Sequence, residues 1–260
     1  MDTSGFLKEL SLAPIVTLKR KLRANRSRHL AVALLLMLST AFFAVHLNRV
    51  LAIEKWLFWS ILATWGKLSL FGISSFAIGW QTLSTLLRSP PKLLERAALS
   101  FAVGVLVFFL SVYVGGIFRL FNEAFFYTLP LSLFAIGAPR LMTDLKRLHR
   151  HIKSRKLRLF APKGFIETVS FVFLVLALAL IYFPILVPNN LSYDAIWYHL
   201  AIAEDYAAFG GIHPFREGWF LAAYPHLSSI LYAWAFFGPG TLADHVLLCA
   251  HIEFLLVLGT

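Results

Sequence analysis

The ionisable residues able to move a proton or bind an ion concentrate in one stretch, Asn189 to His226, which holds Asp194, His199, Glu204, Asp205, His213, Arg216 and Glu217. Ser192 is a good N-cap, a helix-compatible run follows, and Gly210-Gly211 supplies a stop, so the spacing predicts a helix between them. At 100° per residue, Tyr198, Ala201 and Asp205 fall within about 40° of Asp194. Ile196, Leu200, Ala203 and Ala207 take the opposite side, and His199 and Tyr206 share one flank. Such a helix lies on a membrane surface, apolar side down, with two carboxylates and a phenol toward water. Each polar residue also has a plainer reading. A carboxylate two residues past an N-cap complements the helix dipole by about 0.3–1 kcal/mol with no chemistry attached. Glu204 and Asp205 suit a solvated face, His213 and Arg216 suit ordinary loop charges, and a single His among Tyr and Trp suits packing. No His-x-x-x-His or Cys-x-x-Cys spacing, phosphate-cradling Gly-rich loop or G-x-S-x-G element accompanies them.

These residues must be positioned by a chain of 260 residues that is 59% hydrophobic, 15% aromatic and only 14% charged. Soluble domains carry roughly 25% charged residues. The composition therefore excludes a water-soluble globule, a disordered chain, a nucleic-acid module and a disulfide scaffold; the single Cys249 lies in an apolar run. The expected fold class is all-α, a polytopic membrane protein with about six or seven transmembrane helices plus interfacial amphipathic helices.

A bilayer core needs about 20 apolar residues in helical form. Leu30–Leu47 is the first such tract; a long basic region precedes it and no small-x-small site follows, so it reads as a retained helix and not a signal peptide. Leu68–Leu87 is the second. Between them Val50–Gly66 is apolar and Trp-rich but carries Glu54 and Lys55, and is expected as a separate interfacial helix. Further spans are expected at Ala97–Phe118, Ala124–Pro139, Thr168–Val187, Trp219–Phe237 and Thr241–Thr260. The organisation is then a basic N-terminus (1–29), four transmembrane helices (30–139), a basic loop (140–163) and a second membrane region (164–260) in which 188–218 forms a loop. The last tract runs to the C-terminus with no polar ending, as expected of an N-terminal fragment of a longer protein.

Charge sets the expected orientation. If Val50–Gly66 does not cross, residues 1–29, 88–96 and 140–163 share one side and hold 7, 3 and 9 of the 24 Lys and Arg. The positive-inside rule places that side, with the N-terminus, in the cytoplasm and the 188–218 loop outside, in a plasma (inner) membrane.

The string Tyr193-Asp194-Ala195-Ile196-Trp197-Tyr198-His199-Leu200, then Tyr206, Gly210 and Ile212, then Tyr224-Pro225-His226-Leu227 and Leu231-Tyr232, resembles the first outer loop of bacterial GT-C-fold glycosyltransferases of the protein-mannosyltransferase and aminoarabinose-transferase kind. In that family a D-A-x-x-Y-H-L segment follows the first core span and a P-x-x-x-x-x-L-Y segment opens the next; Pro225 to Leu231-Tyr232 keeps that spacing. The run Glu95 to Gly104 is similar to an upstream helix of the bacterial members, so the resemblance covers roughly residues 95–260. It implies a GT-C core that transfers a sugar from a polyprenyl-phosphate donor at the outer face. Asp194 would be the catalytic carboxylate that takes the acceptor's proton, with Tyr198 and His199 beside the substrate. For the departing phosphate His213 and Arg216 are the loop candidates, and the family motif gives them no direct support. Many members of the wider fold carry an acidic pair where this chain has Asp194-Ala195, so no metal cofactor of the paired-acid kind is expected. The partners implied are the lipid-linked donor and the bilayer, with the acceptor open and no nucleic acid.

A non-catalytic multi-span subunit or transporter component is the competing class. Transporters bury ionisable residues within spans, whereas Leu30–Leu47, Leu68–Leu87 and Ala97–Phe118 contain no charge. The orientation is testable by itself. With Ser154→Cys and Ser192→Cys introduced singly into a Cys249→Ser background, an impermeant thiol reagent on intact cells is expected to label position 192 and spare 154; the reverse pattern inverts the topology.

Overall fold

In hydrocarbon a backbone satisfies its polar groups only as a helix or a closed barrel, and the apolar tracts of this chain are helical. The computed structural model describes residues 30–52, 55–87, 89, 91–154, 164–187, 195–215 and 226–259, and no strand occurs among them. Helices α1 (Leu30–Asn48), α2 (Leu57–Leu86), α3 (Leu93–Ile117), α4 (Glu123–Ser154), α5 (Phe165–Ile185), α6 (Leu200–Phe209), α7 (Leu227–Phe236) and α8 (Leu242–Gly259) follow in order, with a π-helical turn over Ala195–His199 leading into α6. Six of them, α1 to α5 and α8, are long and apolar enough to cross a membrane. The chain is an all-α, multi-pass membrane protein.

It divides into two compact units, Met1–Trp59 and Ser60–Thr260. Within the first, the α1 span has no buried residue, and the turn after it is closed by the Trp56 indole N–H on the Leu51 carbonyl at 3.0 Å. The second unit is a bundle whose two ends are chemically different. At one end lie the α3–α4 link, α6, the π turn and the loop from α7 to α8: the Phe121 N–H reaches the Gly210 carbonyl, the Ile212 N–H reaches the Gly116 carbonyl, and the Phe121 and Phe237 rings meet at 4.2 Å. At the other end the N-terminus of α3 meets the C-terminal half of α4.

Three expected boundaries change. Val50–Gly66 is not a separate interfacial helix: from Leu57 onward it is continuous with the second span, because neither a proline nor a cap stands between Gly66 and Leu68. The resulting 30-residue α2 is about 45 Å long, longer than the ~30 Å hydrocarbon core. The fourth span does not stop at Pro139; α4 passes through Pro130 and Pro139 and carries much of the expected 140–163 loop as helix. In the tract 219–237 the described part, α7, has 10 residues, about 15 Å, and is by itself shorter than the ~30 Å hydrocarbon core; residues 219–225 lie outside the described ones.

The short α7 is buried on every side from Ser229 to Ala235, and one contact sets its seat. Pro130 has no N–H, so the Phe126 carbonyl one turn earlier loses its helical donor. The indole Nε1–H of Trp234 supplies the missing bond at 3.1 Å, and its ring stacks on that of Phe126 at 4.5 Å and 13°. Phe71 and Phe108 close on the same indole at 6.1 and 5.3 Å, and all four rings are fully buried.

Elsewhere close approach and caps organise the bundle. Ser75 and Gly79 of α2 cross Ser100 and Gly104 of α3, a small-x-x-x-small pair on each helix. A Cβ on Gly79 would run into the Ser100 carbonyl, and one on Gly104 into the Ser75 carbonyl. Asn122 caps α4 through the Phe125 N–H, and Thr241 with Asp244 forms a reciprocal box at the start of α8. At the basic end Asp144 accepts from Trp80 Nε1 at 3.1 Å and Arg96 at 2.9 Å, and the Arg96 guanidinium lies 3.9 Å over the Trp80 ring.

The Pro130–Trp234 relation predicts a coupling. Trp234→Phe orphans a buried carbonyl and is expected to cost about 1–3 kcal/mol beyond the lost volume. In a Pro130→Ala background the new N–H serves that carbonyl, and the same change should cost about 1–2 kcal/mol less. Denaturation midpoints of the four proteins in mild detergent measure this; equal costs in both backgrounds would remove the carbonyl from the account.

Candidate functional site

The site is built on the π turn and α6, which dock against α7. The chain leaves α6 through Gly210, whose φ of +80° is the left-handed conformation that favours glycine. The Gly211 N–H bonds the Tyr206 carbonyl and the Gly210 N–H that of Ala207, a Schellman closure at the stop read from the sequence. The Ser192 cap and Asp194 lie outside the described residues, as does Arg216.

The lower face of this segment differs from expectation. Leu200 and Ala203 are buried, but against the protein core and not in lipid; Ile202 and Tyr206 join them there, while Ile196 is 57% exposed. Tyr198 was expected on the aqueous side with Ala201 and Asp205, and it is 9% exposed. The π turn explains the change. It closes hydrogen bonds to the fifth residue instead of the fourth, so positions before residue 200 are rotated relative to a uniform 100° wheel.

The expected flank of His199 and Tyr206 does form, and it faces the N-terminus of α7. His199 Nδ1 sits 3.0 Å from Ser228 Oγ and 3.2 Å from Ser229 Oγ. The Tyr206 hydroxyl is 2.8 Å from His226 Nδ1. Around them Tyr198 lies tilted against His199 at 4.2 Å, and Tyr198 and Phe215 meet His226 edge to face at 6.0 and 5.7 Å. Tyr232, one helical turn further along α7, donates its O–H to Glu253 of α8. His213 donates from Nδ1 to the Pro214 carbonyl at 2.9 Å, and its Nε2 stands 2.7 Å from Asp205 Oδ2, at ion-pair distance but out of hydrogen-bonding alignment. Glu204 and Asp205 are exposed.

Burial, reinforced by the neighbouring Asp205 charge, pushes the Tyr206 phenol up to about 12. It therefore keeps its hydroxyl proton, and the phenol and His226 Nδ1 share one hydrogen bond. Arg119, on the α3–α4 link, holds φ of 55°, a strained conformation for a side chain with a Cβ, and lays its guanidinium 4.8 Å from the Phe209 ring.

Of the sequence-derived candidates, Tyr198, His199 and His213 thus share one neighbourhood. Sequence reasoning did not name Ser228, Ser229 and His226 as site residues. His226 stood in the Tyr-Pro-His-Leu string, but a spacing of 27 residues from His199 carries no signal of contact. Among the described residues no group of three His, Cys, Asp or Glu side chains is placed to hold a metal ion. No protein-family model, curated protein or solved structure matches the chain.

The raised phenol has a sign. A neutral Tyr206 stabilises the fold fully below pH ~10, the ordinary phenol value, and that contribution is lost as pH rises through about 12. Thermal midpoints measured from pH 9 to 12 should fall more steeply for the parent than for Tyr206→Phe, which should also lose about 1 kcal/mol at neutral pH with its hydrogen bond. Parallel curves would contradict the assignment.

Proposed function

We propose that this protein is a GT-C-type membrane glycosyltransferase that moves a sugar from a polyprenyl-phosphate-linked donor to an acceptor at the outer face of the plasma membrane. One observation carries the reading. The two segments of the family resemblance, Tyr193 to Ile212 and Tyr224 to Tyr232, are separate in sequence, and their described parts are joined by His199 on Ser228 and Ser229 and by Tyr206 on His226. A lipid-linked sugar presents its reacting bond at the membrane boundary. The polar cluster lies at the end of the bundle opposite the Arg96–Asp144 group, and the positive-inside count supports an outward-facing site and a cytoplasmic N-terminus.

In an inverting transfer the acceptor hydroxyl attacks the anomeric carbon, the bond from that carbon to the phosphate oxygen breaks, and the hydroxyl proton passes to a carboxylate. The resemblance gives that role to Asp194, which immediately precedes the π turn in the chain. Tyr198 and His199 are the residues proposed to border the sugar, and His213 and Arg216 the cationic candidates for the leaving phosphate.

The alternative of a transporter component draws on a different observation: α8 carries His251 and Glu253 within a span, bonded to Tyr182 and Tyr232. Activity separates the two. Asp194→Asn keeps size and polarity but cannot take the proton, so sugar transfer measured in membranes with a lipid-linked donor is expected to fall about 10²–10⁴-fold with insertion and abundance unchanged. Asp205→Asn, which loses only the contact with His213, should stay near the parent. Full activity in Asp194→Asn sinks the catalytic assignment, and equal losses in both reduce it to a general electrostatic effect.

A further inference from the structure

Beyond the proposed transfer reaction, the opposite end of the bundle has the makings of a binding site of its own. Between Arg140 and Arg150 four basic side chains accompany one acidic one, Asp144. That carboxylate is already committed. Arg96 of α3 holds it at 2.9 Å with both groups largely buried, Trp80 of α2 donates to it, and Arg140 and Arg147 flank it at 3.5 and 3.6 Å. Arg96 also donates to Ser84 Oγ at 2.7 Å, so the clamp ties three helices together.

Lys146 and Arg150 lie outside this clamp. Neither makes an ion pair with an acidic residue among the described residues, and Arg150 spends only its Nε–H, on the Lys146 carbonyl of its own helix at 3.4 Å. With Met142 and Leu145 they form one stripe of α4, at spacings of three, one and four residues, and Met142 and Leu145 are 48% and 45% exposed. The stripe begins where α4 leaves its apolar part and the clamp fixes the helix. Apolar side chains beside two uncommitted cations at a membrane boundary match the chemistry of an anionic phospholipid: an acyl chain along Met142 and Leu145, and a phosphate between Lys146 and Arg150.

We propose that the C-terminal half of α4 binds an anionic phospholipid, with Lys146 and Arg150 on the headgroup and Met142 and Leu145 under its acyl chain. Among the described residues the site rests on α4, and it is independent of the transferase reading.

The test uses the full chain in mild detergent, titrated with dioctanoyl phosphatidylglycerol or dioctanoyl phosphatidylcholine, with bound lipid counted by native mass spectrometry. Phosphatidylglycerol is expected to bind preferentially. Lys146→Gln/Arg150→Gln should weaken that binding roughly 30-fold and leave phosphatidylcholine unaffected. Lys146→Arg/Arg150→Lys, which preserves charge, should retain it. Lys55→Gln/Lys92→Gln removes the same net charge elsewhere and should bind like the parent. Equal weakening in both glutamine variants assigns the effect to net charge and overturns the site, as does binding that does not distinguish the two lipids. A thermal midpoint within a degree or so of the parent shows that the Lys146 and Arg150 variants are folded.

Discussion

The bond between the Trp234 indole and the Phe126 carbonyl is the constraint on which the second unit's arrangement rests. A proline inside a membrane helix creates a carbonyl that water cannot reach and the helix cannot serve, and an unsatisfied group in hydrocarbon costs several kcal/mol. Filling it from α7 fixes both the depth and the rotation of that short helix, since the indole must donate and stack at once. Once α7 is seated, its first turn presents His226, Ser228 and Ser229 on one side and its middle presents Tyr232 to α8. Docking of α6 follows, because Leu200, Ala203 and Tyr206 have an apolar wall to bury against. The candidate site is thus a consequence of core packing two turns away.

The two ends of the bundle use polar groups differently. At the basic end a single carboxylate gathers an indole and a buried guanidinium, with two further arginines at its margin, and the result holds α2, α3 and α4 in register. At the other end rings and hydroxyls are joined by hydrogen bonds, His199 with the serines and Tyr206 with His226. Between the ends, the helices approach through small residues at the Ser75–Gly79 and Ser100–Gly104 crossing, where dispersion between backbones replaces the hydrophobic effect that lipid does not supply.

Where the structure departs from the sequence reading, a local and a global cause can be separated. Tyr198 moved from the expected aqueous side to the interior because the π turn changes the phase of everything before residue 200. Leu200 and Ala203 were correctly read as the apolar side of a helix, but periodicity reports only that a face is apolar. It does not say whether lipid or protein covers it, and here α7 does. The merging of residues 57–66 into α2 has a similar origin: Trp and Lys prefer the headgroup boundary, and a long helix that overshoots the bilayer core satisfies that preference as well as a separate interfacial one.

The sequence by itself determined the class of protein, four of the six candidate spans (α1, α3, α5 and α8) to within about four residues of their ends, and the glycine stop of α6. All of these follow from composition, tract length and local turn chemistry, which act over at most a few turns of chain. Tract length placed the second span too, but not its start. The length of α4 was out of reach, because Pro139 reads locally as a helix stop, whereas the helix runs through it and its continuation is held by Trp80 and Arg96 on Asp144, contacts from 64 and 48 residues away. The pairing of His199 with Ser228 and Ser229, and of Tyr206 with His226, was equally a tertiary decision. Those residues share no periodicity, and they meet because α7 can occupy only the one position that satisfies Phe126.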